Sequence, residues 1–300
     1  MKTINKIFKT VVVAMCALVV TSCLGDLDTM PLDDNQLVSE QVYSTKDGYT
    51  GLLAKCYASL ILTGQKGGDG GDPDLEGANE GYSGYVRVLF YLQELCTDNF
   101  LMPSSSNGLR MMLNMTWTES NAAVIKWTYQ RLYMSIAYCD EMLRECTEDK
   151  LKGRGLWEEM KNDYQYYRAE VRFIRAYCYT MLCDLFGGVP YVDENTGVKD
   201  IPKQMTRKQT YEYVIKEAGE IENEMKGPGE NVYGRVDRVS LWLLLSRLYL
   251  NAETWVGVNE YQKAYDYANP TFTLKNNFHK NCTSISHYVN HNILRINYRI

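Results

Sequence analysis

The chain has 300 residues, a formal charge of −5 and 45% hydrophobic residues, enough for one large domain or two ordinary ones at roughly 100–200 residues each. No basic block occurs beyond residue 22, which excludes nucleic-acid binding, because that needs a concentrated basic patch against phosphates. Tyrosine is unusually frequent, 24 against 7 phenylalanines, so many helix contacts must carry a ring together with a hydroxyl.

The elements begin at the first residue. Lys2, Lys6 and Lys9 precede the uncharged run Val11–Val20, which is shorter than the roughly 20 apolar residues needed to span a bilayer. This is the pattern of a cleavable leader rather than a membrane helix. The run ends in Val20-Thr21-Ser22-Cys23, which resembles the bacterial lipobox. That resemblance implies cleavage after residue 22 and a lipid on the thiol of Cys23, anchoring the chain to a membrane. Residues 23–34, with Asp26, Asp28, Asp33 and Asp34, read as an extended tether.

From residue 35 the pattern is helical nearly throughout. Ser44-Thr45-Lys46-Asp47 has the form of a capping box, followed by Tyr49, Leu52, Leu53, Cys56, Tyr57, Leu60 and Ile61 at helical spacing. Residues 63–85 change character, and Gly67-Gly68-Asp69-Gly70-Gly71-Asp72-Pro73-Asp74 predicts a long loop. The acids Asp69, Asp72 and Asp74 are oxygen donors of the kind calcium takes, but their spacing is not that of an EF-hand, and a solvated acidic loop is the preferred reading. Val86–Cys96 is ambiguous between helix and strand. Thr97–Phe100 and Met102–Gly108 predict a second loop.

A long helix follows, marked by Ile125, Tyr129, Leu132, Ile136, Cys139, Leu143 and Cys146. The next is marked by Met160, Tyr164, Tyr167, Val171, Ile174, Cys178, Met181 and Leu185. It stops at Gly187-Gly188, with Pro190 just beyond, in the order expected of a helix end. Thr206 and Gln209 predict a capping box ahead of Tyr211, Val214, Ile215, Ala218, Ile221 and Met225. Gly227-Pro228-Gly229 closes that helix, and Val239–Glu253 with Asn259–Ala268 forms a helical pair. No strict 34-residue period exists. The fold class is therefore mainly all-α, an irregular helical array.

Of nine cysteines, Cys16 leaves with the leader and Cys23 is committed to lipid. Cys56, Cys96, Cys139, Cys146, Cys178, Cys183 and Cys282 are odd in number and include no C-x-x-C, so they are expected to pack as free, small apolar side chains. Catalysis has little support. The three histidines, His279, His287 and His291, all lie near the end, leaving the body of the chain without a base for a Ser-His-Asp or Cys-His arrangement. No spacing singles out a carboxylate pair for glycoside hydrolysis. The expectation is a non-enzyme with no metal and no cofactor.

Two motifs give the chain a family likeness. One is Arg168-Ala169-Glu170-Val171-Arg172-Phe173-Ile174-Arg175-Ala176-Tyr177, continuing to Asp184-Leu185-Phe186-Gly187-Gly188-Val189-Pro190. The other is Gly234-Arg235-Val236 followed by Leu245–Ala252. Together with the helix around Leu52–Leu60 and the Thr97-Asp98-Asn99 turn, they resemble the SusD/RagB family of outer-membrane lipoproteins of the Bacteroidetes, from residue 23 to 268. The resemblance implies a helical scaffold with tetratricopeptide-like hairpins and irregular ligand-binding loops. It also implies a position at the cell surface beside a SusC-like TonB-dependent transporter, and capture of oligosaccharides, or peptides in some branches, without enzymatic activity.

The motif residues are expected to hold the scaffold, with Arg168, Glu170, Arg172 and Arg175 on a polar face worth a few tenths of a kcal/mol per ion pair. Glycan binding needs aromatic faces and side chains that make paired hydrogen bonds to neighbouring hydroxyls. The loop positions that offer these are Asp98, Asn99, Arg110 and Trp117, with Tyr82 and Tyr85. Family members continue into a second half, whereas residues 269–300 lack any acid and gather the histidines. This tail reads as a frameshifted or prematurely terminated reading frame, against a genuine short variant. The competing functional readings are a lipid-anchored scaffold that binds only proteins, and a non-functional remnant.

Overall fold

The structure is a computed structural model that describes residues 39–62, 83–102, 107–119 and 122–278. The leader, the tether with Cys23, the Asp69–Asp74 segment, Tyr82 and the three histidines lie outside the described residues. The chain divides into two compact units, Met1–Ser44 and Thr45–Ile300. In the first, described over residues 39–44, the single helical turn α1 (Ser39–Val42) forms.

The second unit contains α2 (Lys46–Ala58), α3 (Tyr85–Phe90) running into a π-helical turn (Tyr91–Leu95), α4 (Asn107–Asn114), α5 (Ala123–Glu145), α6 (Glu148–Gly153), α7 (Trp157–Met160), α8 (Tyr164–Phe186), α9 (Arg207–Ile221), α10 (Arg238–Val256) and α11 (Tyr261–Phe278). The mainly helical expectation is met. The ambiguous 86–96 stretch is helix. The segment from Asn107, expected as loop, is helix α4, because Leu109 and Met112 gain burial on one of its faces. The expected box at Ser44 does not form. Thr45 is the N-cap, its hydroxyl accepting from Gly48 N at 3.3 Å. The box at Thr206 and Gln209 is complete in both directions.

Consecutive long helices pack on one another: α5 on α8, α8 on α9, α9 on α10, α10 on α11, with α2 against α5 and α8. The apolar positions foreseen at 132, 136, 139, 143, 171, 174, 178 and 181 are all buried there. The six described cysteines are free thiols, all but Cys96 fully buried. The rhythm starting at Met160 is interrupted, since Met160 belongs to α7 and the long helix begins at Tyr164. Helix α11 continues through Pro270 to Phe278, past the composition change near residue 268. Among the described residues, no helix is long and apolar enough to cross a membrane.

The Gly187-Gly188 reversal is required sterically. Gly187 adopts φ 76°, and a Cβ on Gly188 would sit 2.6 Å from the Met205 carbonyl oxygen. That approach lets Val189–Tyr191 run beside Lys203–Met205, with Tyr191 N donating to Lys203 O and Met205 N to Val189 O.

The arginine motif is not an exposed polar face, which corrects the expectation. Arg175 is only 4% exposed and donates to Asp140 Oδ1 (2.7 Å), Glu194 Oε2 (2.5 Å) and Glu217 Oε1 (3.0 Å). Arg172 grips both oxygens of Glu217 at 2.9 and 3.0 Å. Arg168 caps α5 by donating to the carbonyls of Leu143 and Cys146. Helix spacing foretold that these arginines share a face, but α9 and the 192–194 segment bury that face.

Burial pushes Asp140 up to about 6 despite the Arg175 pair, whereas Arg172 and Arg175 overcome burial at Glu217 and hold it below the usual range. The two signs oppose each other. Asp140 contributes stability below its ordinary pKa of 3.8 that is lost as pH rises through about 6. Glu217 contributes stability at higher pH that is lost on acidification. Accordingly, the advantage of the wild type over Asp140→Asn should shrink between about pH 4 and about pH 7, by at most about 3 kcal/mol, in urea midpoints measured across that range. A constant difference would show that Asp140 ionises normally.

Candidate functional site

The described residues between 83 and 127 build a small lobe around Val88, Tyr91, Leu95, Leu109, Met112 and Val124, with Leu92, Met102, Ile125 and Trp127 packed against it. Four of the sequence-selected candidates, Asp98, Asn99, Arg110 and Trp117, are carried on the outside of this lobe. The π-helical turn Tyr91–Leu95 ends α3 and hands the chain to the Thr97 turn. Thr97 Oγ1 donates to Glu94 O at 2.7 Å and accepts from Asn99 N at 3.3 Å. This local clasp leaves the side chains of Asp98 and Asn99 exposed. Beside them Phe100 packs edge-on against Phe90, ring centroids 5.0 Å apart, with part of its ring in solvent.

Arg110 lies on the exposed side of α4, between the buried Leu109 and Met112. The helix ends in a Schellman arrangement, with Thr116 N donating to Met111 O at 3.0 Å and Met115 N to Met112 O at 3.2 Å. The left-handed position is filled by Met115, at φ 52°, where glycine is usual. The reversal throws Trp117 outward, 39% exposed. Because the Met115 side chain is exposed and a left-handed L-residue costs roughly 1–2 kcal/mol, Met115→Gly should raise stability by about 0.5–1 kcal/mol after the glycine entropy penalty. Thermal unfolding checks this, and a lower midpoint would refute it.

Asp98, Asn99, Arg110 and Trp117 are thus all exposed on one lobe, which also presents the half-exposed rings of Phe100 and Trp117. Tyr85 does not join them. It is 3% exposed, its ring packs edge-on to Tyr177, and the two hydroxyls are 3.0 Å apart. Sequence position beside a polar loop suggested exposure, but Tyr85 opens α3 and turns inward. Tyr82 lies outside the described residues. Phe100 was visible only as part of a turn, and nothing in its local sequence marked it as a half-exposed ring. Among the described residues, no group of three or more His, Cys, Asp or Glu could hold a metal ion.

Two buried polar features tie distant segments together, the first at the edge of this lobe. Arg131 of α5, 1% exposed, donates from Nη2 to Ser83 Oγ (2.9 Å) and from Nη1 to Leu62 O (3.4 Å), holding the two residues that flank the 63–82 stretch. Glu170 of α8 accepts from Arg235 at 2.9 and 2.5 Å, from Tyr57 at 2.6 Å and from Asn231 at 3.1 Å. The two sequence motifs that carried the family likeness therefore meet in one buried cluster.

Known structures with this helical arrangement define the class. The chain is similar to a SusD superfamily protein from Bacteroides thetaiotaomicron (TM-score 0.58, 14% identity, 77% of this chain and 48% of that one). It is also similar to one from Parabacteroides distasonis (TM-score 0.57, 18% identity, 79% and 45%). In sequence it is 35% identical over 286 residues to the starch-binding protein SusD of Bacteroides thetaiotaomicron, covering 95% of this chain and 48% of that protein. Residues 76–250 match the SusD-like family profile described as starch-binding, associating with the outer membrane. The chain belongs to the SusD-like family. It spans about half the length of the curated relative it matches.

Proposed function

We propose that this chain is a cell-surface lipoprotein that captures oligosaccharides and passes them to a SusC-like TonB-dependent transporter in the outer membrane. The observation that carries the reading is the likeness along nearly the whole chain to a relative named for starch binding. The surface of the 83–127 lobe supplies matching chemistry. Phe100 and Trp117 offer apolar ring faces, and Asp98, Asn99 and Arg110 offer the paired donors and acceptors that ring hydroxyls take. In this reading the chain binds and does not catalyse, needs no cofactor or metal, and is held to the membrane through a lipid on Cys23.

Affinity electrophoresis through gels containing amylopectin, or other soluble polysaccharides, tests capture. The expected result is retardation by at least one glycan, weakened by Trp117→Ala. Failure of every glycan to retard the chain, while a transporter still co-purifies with it, would leave a protein-binding scaffold in its place. The anchor is tested separately. Cys23→Ser should abolish incorporation of labelled fatty acid, and labelling that persists would rule out Cys23 as the lipid site.

A further inference from the structure

Away from the 83–127 lobe surface, a groove of ≈ 590 Å³ opens along the outer side of α5, within the range of about 300–1,000 Å³ typical of ligand pockets. Its wall is formed by Lys55 of α2 and by Tyr129, Gln130, Tyr133, Met134 and Tyr138 of α5. The tyrosines at 129 and 133, a helical turn apart, bring their rings to 4.7 Å, and Phe186 at the end of α8 braces Tyr129 edge-on at 5.2 Å. The Tyr133 hydroxyl donates to Pro190 O at 2.6 Å, which fixes that ring. The aromatic wall is therefore rigid before any ligand arrives.

The polar groups of the groove are incompletely used. Gln130 Oε1 is buried and has no hydrogen-bond partner, a state that costs roughly 1–3 kcal/mol. Gln130 lines the groove, so rotation of its amide would turn that acceptor toward an occupant. The Lys55 ammonium sits 4.1 Å from the Tyr138 ring centroid. Among the described residues, no carboxylate lines the groove, so Lys55 is placed to donate to an incoming hydroxyl. Rigid rings, one amide oxygen lacking a partner and one ammonium donor suit an occupant with apolar ring faces edged by hydroxyls, and suit a purely apolar helix less well. Such a helix would leave Gln130 unsatisfied.

We propose that the groove between Lys55 and the Tyr129–Tyr138 face of α5 is a second oligosaccharide-contact site, separate from the 83–127 lobe, in which Gln130 and Lys55 bond ring hydroxyls against the tyrosine wall. The proposal rests on the glycan-capture reading above. Its test is affinity electrophoresis of the chain, with amylopectin and the same polysaccharide panel, for the wild type, Lys55→Gln, Gln130→Leu and Trp117→Ala. Lys55 is exposed, so Lys55→Gln should fold as the wild type does, with thermal unfolding as the check.

Loss of one such hydrogen bond should weaken retention about 2–10-fold in Lys55→Gln and in Gln130→Leu. The combination with Trp117→Ala should weaken it further. Retention of Lys55→Gln and Gln130→Leu at the wild-type level, while Trp117→Ala weakens it, would overturn the groove and leave the lobe reading in place. No retention of the wild type by any polysaccharide would overturn both.

Discussion

Arg235→Ala should destabilise the chain by about 3–5 kcal/mol in urea unfolding, the range seen when one partner of a buried ion pair is removed. Glu170, 2% exposed, lies in the second turn of α8, and its carboxylate is reached by a phenol from α2 and by an amide and a guanidinium from the 231–236 segment. The Tyr57 hydroxyl that donates to Glu170 also accepts from Val236 N at 3.0 Å, so the 231–236 segment is fastened to α2 and α8 together. Burial, followed by the Glu170 charge, pushes the Tyr57 phenol far above its ordinary range, so it remains a donor at any pH the protein meets.

Removing Arg235 leaves a buried anion with two neutral donors, and that uncompensated charge is the dominant cost. A double-mutant cycle with Glu170→Met isolates the coupling. The double variant should be no worse than Arg235→Ala, because no charge is then stranded. A loss below about 1 kcal/mol in Arg235→Ala would mean that the pair behaves like an exposed one.

This cluster also shows what the sequence could and could not disclose. Helical periodicity located α5, α8, α9 and α10 and most of their buried apolar positions, because a 3.6-residue repeat is a property of one element alone. The same periodicity placed Glu170 and the arginines on a common face and then misjudged that face as solvated. Whether a polar face meets water depends on what packs there, and the partners of Glu170 lie 61 and 65 residues away at Asn231 and Arg235.

The candidate site divides in the same way. The exposed turn that carries Asp98 and Asn99 was legible because a Thr-x-Asn turn is local, and the Thr97 hydroxyl bonds Glu94 O and Asn99 N. Tyr85 was misread because its burial depends on Tyr177, 92 residues on. Helix α4 was missed because Asn107-Gly108 signals a turn and the stretch is short. Its stability comes from Leu109 and Met112 entering the lobe core.

Arg131→Met should cost about 3 kcal/mol and, unlike the Arg235 variant, should act mainly on the segments leading into and out of residues 63–82. No sequence rule marks Arg131, an arginine one position before the apolar stripe residue Leu132, yet it is among the largest fully buried side chains of the fold. Its guanidinium holds Leu62 O and Ser83 Oγ. Its own carbonyl accepts from Ser135 Oγ at 2.9 Å, and Ser135 in turn accepts from Ser59 Oγ at 2.8 Å.

Methionine preserves most of the stem volume and removes the charged donors. The loss is therefore that of hydrogen bonds to a charged group, roughly 1.5–3 kcal/mol, plus the desolvated acceptors left behind. Amide exchange should accelerate at residues 59–62 and 83–88 before it does in α8 or α10, since the clamp joins two chain segments and not the helix array. Uniform acceleration across α5, α8 and α10 would instead make Arg131 a general core residue. If the clamp is local, the variant should also keep the Arg175 cluster intact, so its stability should retain the pH dependence expected of the wild type while the 63–82 stems loosen. That separates a clamp on the two flanking segments from support of the helix array.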